Sequence, residues 1–138
     1  MANKIVQSAG KRKTALARAT ISEGKGVVRV NSILLDSYST EFARMKIQEA
    51  MMIASDHVDL GKINIEITSR GGGQLGQADA IASAIARGLV EWSGGDSLLQ
   101  KYHDFNRTLI AGDSRQTEVH KPSQSSKGPR HKRQKSYR

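Results

Sequence analysis

The 138-residue chain has no cysteine, which removes disulfides, thiolate metal sites and cysteine nucleophiles together. Long hydrophobic runs are missing too: nothing approaches the roughly 20 apolar residues needed to cross a bilayer, which excludes membrane insertion. Met1-Ala2-Asn3-Lys4 has no apolar signal region behind it, so a cytoplasmic protein is expected. Acid is absent from both ends. Residues 1–22 hold five basic residues (Lys4, Lys11, Arg12, Lys13, Arg18) and 119–138 hold seven, with no carboxylate in either stretch, whereas 23–118 hold ten basic against thirteen acidic residues. The formal charge of +9 therefore sits on the two extensions of a near-neutral body. That is the pattern of a folded module tied to a polyanion by its ends.

From His120 onward the chain also lacks any aliphatic side chain, so this segment cannot bury itself and must find its partner outside. Pro122, Gly128 and Pro129 interrupt it, and it has no apolar stripe with which to lie in a membrane interface. The length suits one domain of about 100–150 residues rather than two. The expected organisation is a globular domain over 1–118 and an extended basic tail over 119–138.

Within the domain, Ala15, Ala17, Ala19 and Ile21 alternate with polar residues as a strand with one inward face does. Glu23-Gly24-Lys25-Gly26 reads as a turn returning Val27–Val30 antiparallel in a hairpin. A short strand at Ile5–Gln7 precedes them, and Gly10–Thr14 reads as a loop. Leu34–Ser39 reads as a second loop. Phe42, Met45, Ala50, Met51 and Ile53 then predict a helix over about 40–54, with Arg44 and Lys46 on its solvated face and Met45, Met51 and Met52 filling core. Ile63, Ile65 and Ile67 mark the clearest strand, 62–69. After a glycine-rich break, Ile81, Ile85 and Leu89, four apart in an Ala-rich stretch, predict a helix over about 77–92. Gly94-Gly95 ends it, and Asp96 or Ser97 can cap a short helix to about Tyr102. The sum is α+β, a small and mostly antiparallel sheet with helices laid across it.

Gly71-x-Gly73-x-x-Gly76 matches the dinucleotide fingerprint literally and sits between a strand and a helix. Its context argues against a nucleotide cofactor, because the acid about 20 residues on is Glu91, still on the helix, where a ribose-binding strand is required. No Gly-Lys-Ser/Thr follows, which excludes a Walker loop. The glycines serve either a tight strand-to-helix turn or, with Arg70 and the helix N-terminus, close approach to an RNA phosphate. Asp56, His57 and Asp59 read as a solvated helix end rather than a metal cluster, and no serine sits in a nucleophile elbow. Neither a catalytic grouping, a metal site nor a cofactor is expected. By contrast Lys11, Arg12 and Lys13, followed by Arg18 projecting outward, put four cations within eight residues without an acid, which favours phosphate contact.

Gly10-Lys11-Arg12-Lys13-Thr14-Ala15-x-Ala17-Arg18, the run from Gly71 through Gly76-Gln77-Ala78 to Arg87-x-Leu89, Asp113-x-Arg115-x-x-Glu118 and the ending Gln134-Lys135-Ser136-Tyr137-Arg138 together resemble the small-subunit ribosomal protein S-nine family, in its archaeal type. The resemblance spans Ser8 to Arg138. It implies a ribosomal protein S-five domain-two-like fold, a four-stranded sheet with helices on one face and a left-handed crossover. It also implies a structural rather than enzymatic role in the head of the small ribosomal subunit, beside the proteins called S-seven, S-ten and S-fourteen in bacteria. The rRNA contacts would fall on Lys11, Arg12, Lys13, Arg18, Arg70, Gly71, Gly72, Gly73, Arg115, Lys127, Arg130, Lys132 and Arg133. The tail would end at the peptidyl-site tRNA with Lys135, Ser136, Tyr137 and Arg138. Two rival classes are weaker. A free nucleic-acid regulator needs a base-reading helix, for which 77–92 offers only Gln77, Ser83 and Arg87, and a nucleotide enzyme needs the missing strand.

Overall fold

The computed structural model describes residues 3–117. The expected basic tail, 119–138, lies outside the described residues. Strands β1 (Ile5–Arg12), β2 (Ala15–Glu23), β3 (Val28–Val30), β4 (Ile33–Leu34) and β5 (Ile63–Arg70) form one mixed sheet in the order β1-β2-β5-β3-β4, with helices α1 (Glu41–Ala54), α2 (Gln74–Ser93), α3 (Asp96–Asn106) and α4 (Thr108–Ala111). The α+β class stands, but the sheet has five strands rather than four. The extra one, β4, returns from β3 over Asn31-Ser32, both left-handed with φ of 50° and 69°, the type I′ geometry that matches the twist of paired strands.

The expected β2–β3 hairpin does not form. β2 pairs antiparallel with β1 on one side and β5 on the other, while β3 lies parallel to β5 on its far side. The glycine turn is what carries the chain across. Gly24 and Gly26 donate backbone N–H groups to the carbonyls of Lys62 and Ile63, and the Asn64 side-chain oxygen accepts from the backbone of Lys25 and Val27. Turn residues that looked self-contained are thus bonded to the start of β5, and β3 continues along that strand. The expected loop at 10–14 is likewise mostly strand: β1 runs through Lys11 and Arg12, leaving Lys13-Thr14 as a two-residue turn.

Alternation puts Ala15, Ala17, Ala19 and Ile21 of β2 and Ile63, Ile65 and Ile67 of β5 on the dry face of the sheet. α2 lies over β1 and β2, and its Ala-rich surface allows the close approach: Ala78, Ala80, Ala82, Ala84 and Ala86 are all buried. Gly10 is the tightest point, where an added Cβ would fall 2.7 Å from the backbone nitrogen of Ala84 and closer still to the Ala80 carbonyl. α1 packs beside α2, capped by the Thr40 hydroxyl accepting from the Ala43 N–H. Buried Tyr102 of α3 donates its hydroxyl to the Ala50 carbonyl at 2.5 Å, fastening α3 to α1, and burial pushes that phenol above its ordinary pKa.

Helix boundaries differ from the sequence expectation at the start of α2 and over α3, which runs on to Asn106 rather than ending near Tyr102. α2 begins at Gln74 with Gly73 as its N-cap, so Gly76 lies inside the helix. α3 starts from Gly95, with no side-chain cap from Asp96 or Ser97. The methionines are a further correction. Met45 and Met52 are 54% and 71% exposed, so only Met51, half-buried, packs against the core.

Candidate nucleic-acid interface

Because every helix-facing residue of β2 and β5 is apolar or small, their other neighbours in sequence must face away, and no described helix covers that second face. The strand register decides what meets there. Leu16 stands between Lys11 of β1 and Arg70 of β5, and Arg18, two residues along, stands between Ala9 and Thr68. Three exposed cations thereby surround one exposed leucine. Thr20 sits opposite Glu66, which in turn sits beside exposed Arg29 of β3, a cation that sequence reasoning did not assign although its position in the alternation of Val28-Arg29-Val30 places it on this face.

Lys13 occupies the tip of the β1–β2 turn with φ of 54°, a left-handed conformation that is costly for a side-chain-bearing residue. Gly71 and Gly72 are also left-handed, at φ of 78° and 65°, and lie against the same turn: a Cβ on Gly71 would fall 2.5 Å from the Thr14 carbonyl. Glycine is required here because the loop and the turn press backbone to backbone. Gly73 has an ordinary negative φ and open space around its Cβ position, so it carries no such demand. The Gln77 side chain donates to the Gly71 carbonyl at 3.0 Å and holds the loop over the start of α2. After α2 the described chain continues as α3 and α4, so no parallel strand with a ribose-binding acid follows the glycines.

Arg12 and Arg115 have a different setting from the other candidates. Arg12, with a side chain only 15% exposed, lies 3.7 Å from Asp79 of α2 and 3.4 Å from Asp113, and donates to the Arg115 carbonyl at 3.2 Å. Asp79 also takes Lys46 of α1 at 2.6 Å. Arg115 forks onto Asp113, with Nη2 to Oδ2 at 2.6 Å and Nε 3.0 Å from both oxygens. Hydrogen bonds from the Arg115 side chain, and then from its backbone N–H, hold the Asp113 carboxyl well below the usual carboxylate range, against a smaller opposing effect of burial. These groups line a cleft of about 210 Å³ between α1, α2 and the C-terminal segment. Asp113 also forms a parallel bridge with Arg12, so the chain after α4 leaves alongside β1, pointing towards the Lys13 turn and the glycine loop. The structure therefore gathers Lys11, Lys13, Arg18, Arg70 and Gly71–Gly73 at one end of the sheet, with Arg12 and Arg115 bound into an ionic cluster beside it. Lys127, Arg130, Lys132, Arg133, Lys135, Ser136, Tyr137 and Arg138 lie outside the described residues. The cluster could not be read from sequence, since its members come from four distant segments.

The Asp56, His57 and Asp59 group is a helix end. Asp56 meets Lys101 at 2.7 Å, and Asp59 meets Lys62 at 2.9 Å and caps Gly61. Among the described residues no helix is long and apolar enough to cross a membrane.

The sequence profile of the family described as ribosomal protein S9/S16 matches residues 10–138. Among curated proteins, the chain is 44% identical over 135 residues to small ribosomal subunit protein uS9 of Methanococcus maripaludis strain C7, covering 98% of this chain and 99% of that one. It is 42% identical, with the same coverage, to the uS9 of Methanococcus vannielii.

Proposed function

Because the chain belongs to the ribosomal protein S9/S16 family, in its archaeal type, we propose that it is a structural, non-enzymatic constituent of the small ribosomal subunit that holds the rRNA of the subunit head on its open sheet face. Its compartment is then the ribosome in the cytoplasm. The observation that carries the assignment is the convergence of Lys11, Arg18 and Arg70 around Leu16 on an uncovered face, next to Lys13 and a glycine loop stripped of side chains. At about 4.8 Å per strand, Lys11 and Arg70 stand about 10 Å apart across β2, so these cations can meet separate phosphates while the glycine backbone lets the RNA come close. The ribosomal protein S-five domain-two-like description fits this one-sided sheet, with α1 in the connection that would be the left-handed crossover between β3 and β5. Lys127, Arg130, Lys132 and Arg133 extend the rRNA contact along the tail, and Lys135, Ser136, Tyr137 and Arg138 reach the peptidyl-site tRNA. The support for the tail is its charge and its want of aliphatic side chains, which leave it no core of its own. Other head proteins are its protein neighbours.

The experiment is a salt series. Binding of the full chain to small-subunit rRNA is measured for wild type and for the triple variant Lys11→Ala, Arg18→Ala, Arg70→Ala. Three lost phosphate contacts should shrink the slope of log K against log salt by about 2–3 units, at roughly 0.7–0.9 each. An unchanged slope would remove the sheet face from the interface.

A further inference from the structure

Three of the most exposed large apolar side chains in the described chain share one side of one helix. Phe42, Met45 and Met52 of α1 are 58%, 54% and 71% exposed. With Glu49 they recur at the three- and four-residue spacing of a single helical face, opposite the buried Ala43, Ile47, Ala50 and Ala54. A helix that meets only water carries polar residues in those places, and an apolar row of this kind marks a contact surface. Methionine suits such a surface, since its unbranched side chain adapts to what it meets.

What covers the row is limited by its surroundings. The chain's own tail cannot, because 120–138 contains no aliphatic side chain to set against it. RNA is a poor match: Glu49 interrupts the row, Glu41 flanks it, and among the described residues neither carboxylate has a salt-bridge partner. Lys46 is held by Asp79 at 2.6 Å and by the Phe42 ring at 5.8 Å, and Arg12 and Arg115, which line the same cleft as Glu49, are taken up by Asp79 and Asp113. A second copy packed on the same row about a two-fold axis at its centre would set Glu49 against Met45, burying the carboxylate with no cation to meet it. We propose that the outer face of α1 is the docking surface for an apolar segment of another small-subunit protein, one whose cations meet Glu41 and Glu49. This rests on membership of the family and not on the RNA assignment of the sheet face.

The test is peroxide footprinting of the full chain in three states: alone, on naked small-subunit rRNA, and in subunits reconstituted with the full set of small-subunit proteins. Sulfoxide at Met45 and Met52 is read by mass spectrometry, with half-buried Met51 as reference. Oxidation follows exposure, so both should react equally fast alone and on rRNA and roughly tenfold more slowly in complete subunits. Protection by rRNA alone would assign the face to RNA and overturn the proposal. So would protection that rises with the concentration of the isolated chain, or no protection in complete subunits. Retention on naked rRNA is scored in the same samples, which keeps loss of the RNA assignment distinguishable from loss of this one. As an independent check, Met52→Asp, a change at an exposed position, should compete with wild type for incorporation about fivefold less well with proteins present while binding naked rRNA equally. Equal incorporation would overturn the proposal.

Discussion

Replacing Gly10 by alanine should lower stability severely although it adds a single methyl group. The new Cβ would meet the backbone of α2 at Ala80 and Ala84, the latter at 2.7 Å, where ordinary contact needs well over 3 Å. Backbone cannot swing aside as a side-chain end can, so β1 and α2 must separate along the tightest seam of the fold. Overpacking of this kind costs about 1–3 kcal/mol, and a rigid neighbour places it near the upper figure. For the 115 residues from 3 to 117, unfolding entropy of roughly 2.1 cal/mol/K per residue amounts to about 0.24 kcal/mol/K, so 3 kcal/mol corresponds to a fall of about 12 °C in Tm. Gly76→Ala supplies the contrast. Its Cβ would lie 3.8 Å from that of Ala15, an ordinary contact inside the first turn of α2. The change should stabilise by about 0.5–1 kcal/mol, a rise of roughly 2–4 °C, because alanine loses less backbone freedom in a helix. Both variants can be followed by circular dichroism on RNA-free protein. If Gly10→Ala melted within about 2 °C of wild type, helix and strand would not be seated as described, and the packing argument for the alanine-rich seam would fail.

Lys13→Gly should raise stability by up to about 1 kcal/mol by relieving the left-handed lysine, yet weaken rRNA binding; a loss of both, or a gain in both, would sever the link between turn strain and RNA contact. Asp113, its carboxyl held low by Arg115, contributes stability that is present above its unfolded pKa of about 4 and is lost as pH falls towards the folded value. Asp113→Asn should therefore flatten the fall of Tm with acidification below that pH, and an unchanged acid limb would mean that the pair contributes nothing. Deleting Lys135–Arg138 should leave the melting of the domain unchanged while shrinking the salt slope of peptidyl-site tRNA binding to reconstituted subunits by about 1.4–1.8 units; equal slopes would confine the tail to rRNA.

What the sequence made legible follows from how locally each signal is set. The Ile63, Ile65, Ile67 alternation, the helix over about 40–54 and the Gly94 that closes α2 are decided within a few residues, and all appear where expected. The open cationic face was half visible, since the outward position of Arg18 follows from alternation alone. Its other members depend on register between strands remote in sequence: nothing near Arg70 announces that Leu16 will stand opposite it. The pairing of β3 is not legible locally because its deciding group, the Asn64 side chain, lies 39 residues from Lys25. Basic residues in a row look alike in sequence, although Lys11 faces the open side and Arg12, its neighbour, turns inward to Asp79 and Asp113.

Those long separations have a consequence for the order of events during synthesis. β1 and β2 meet through a two-residue turn and can pair as soon as both have emerged, but β5 enters the sheet only after α1 has been made, and the bond from Arg12 to the Arg115 carbonyl spans 103 residues. Contacts of such sequence separation form late, because the loop between them must close first. A growing chain therefore carries Lys11 and Arg18 on a lone hairpin without Arg70 beside them, and the ionic cluster that steers the C-terminal segment closes near the end of translation. A copy that stops before β5 lacks Arg70 on the cationic face, and one that stops before Asp113 lacks the ionic cluster beside it. The order in which the strands join thus leaves each unfinished copy with a different surface from the finished one.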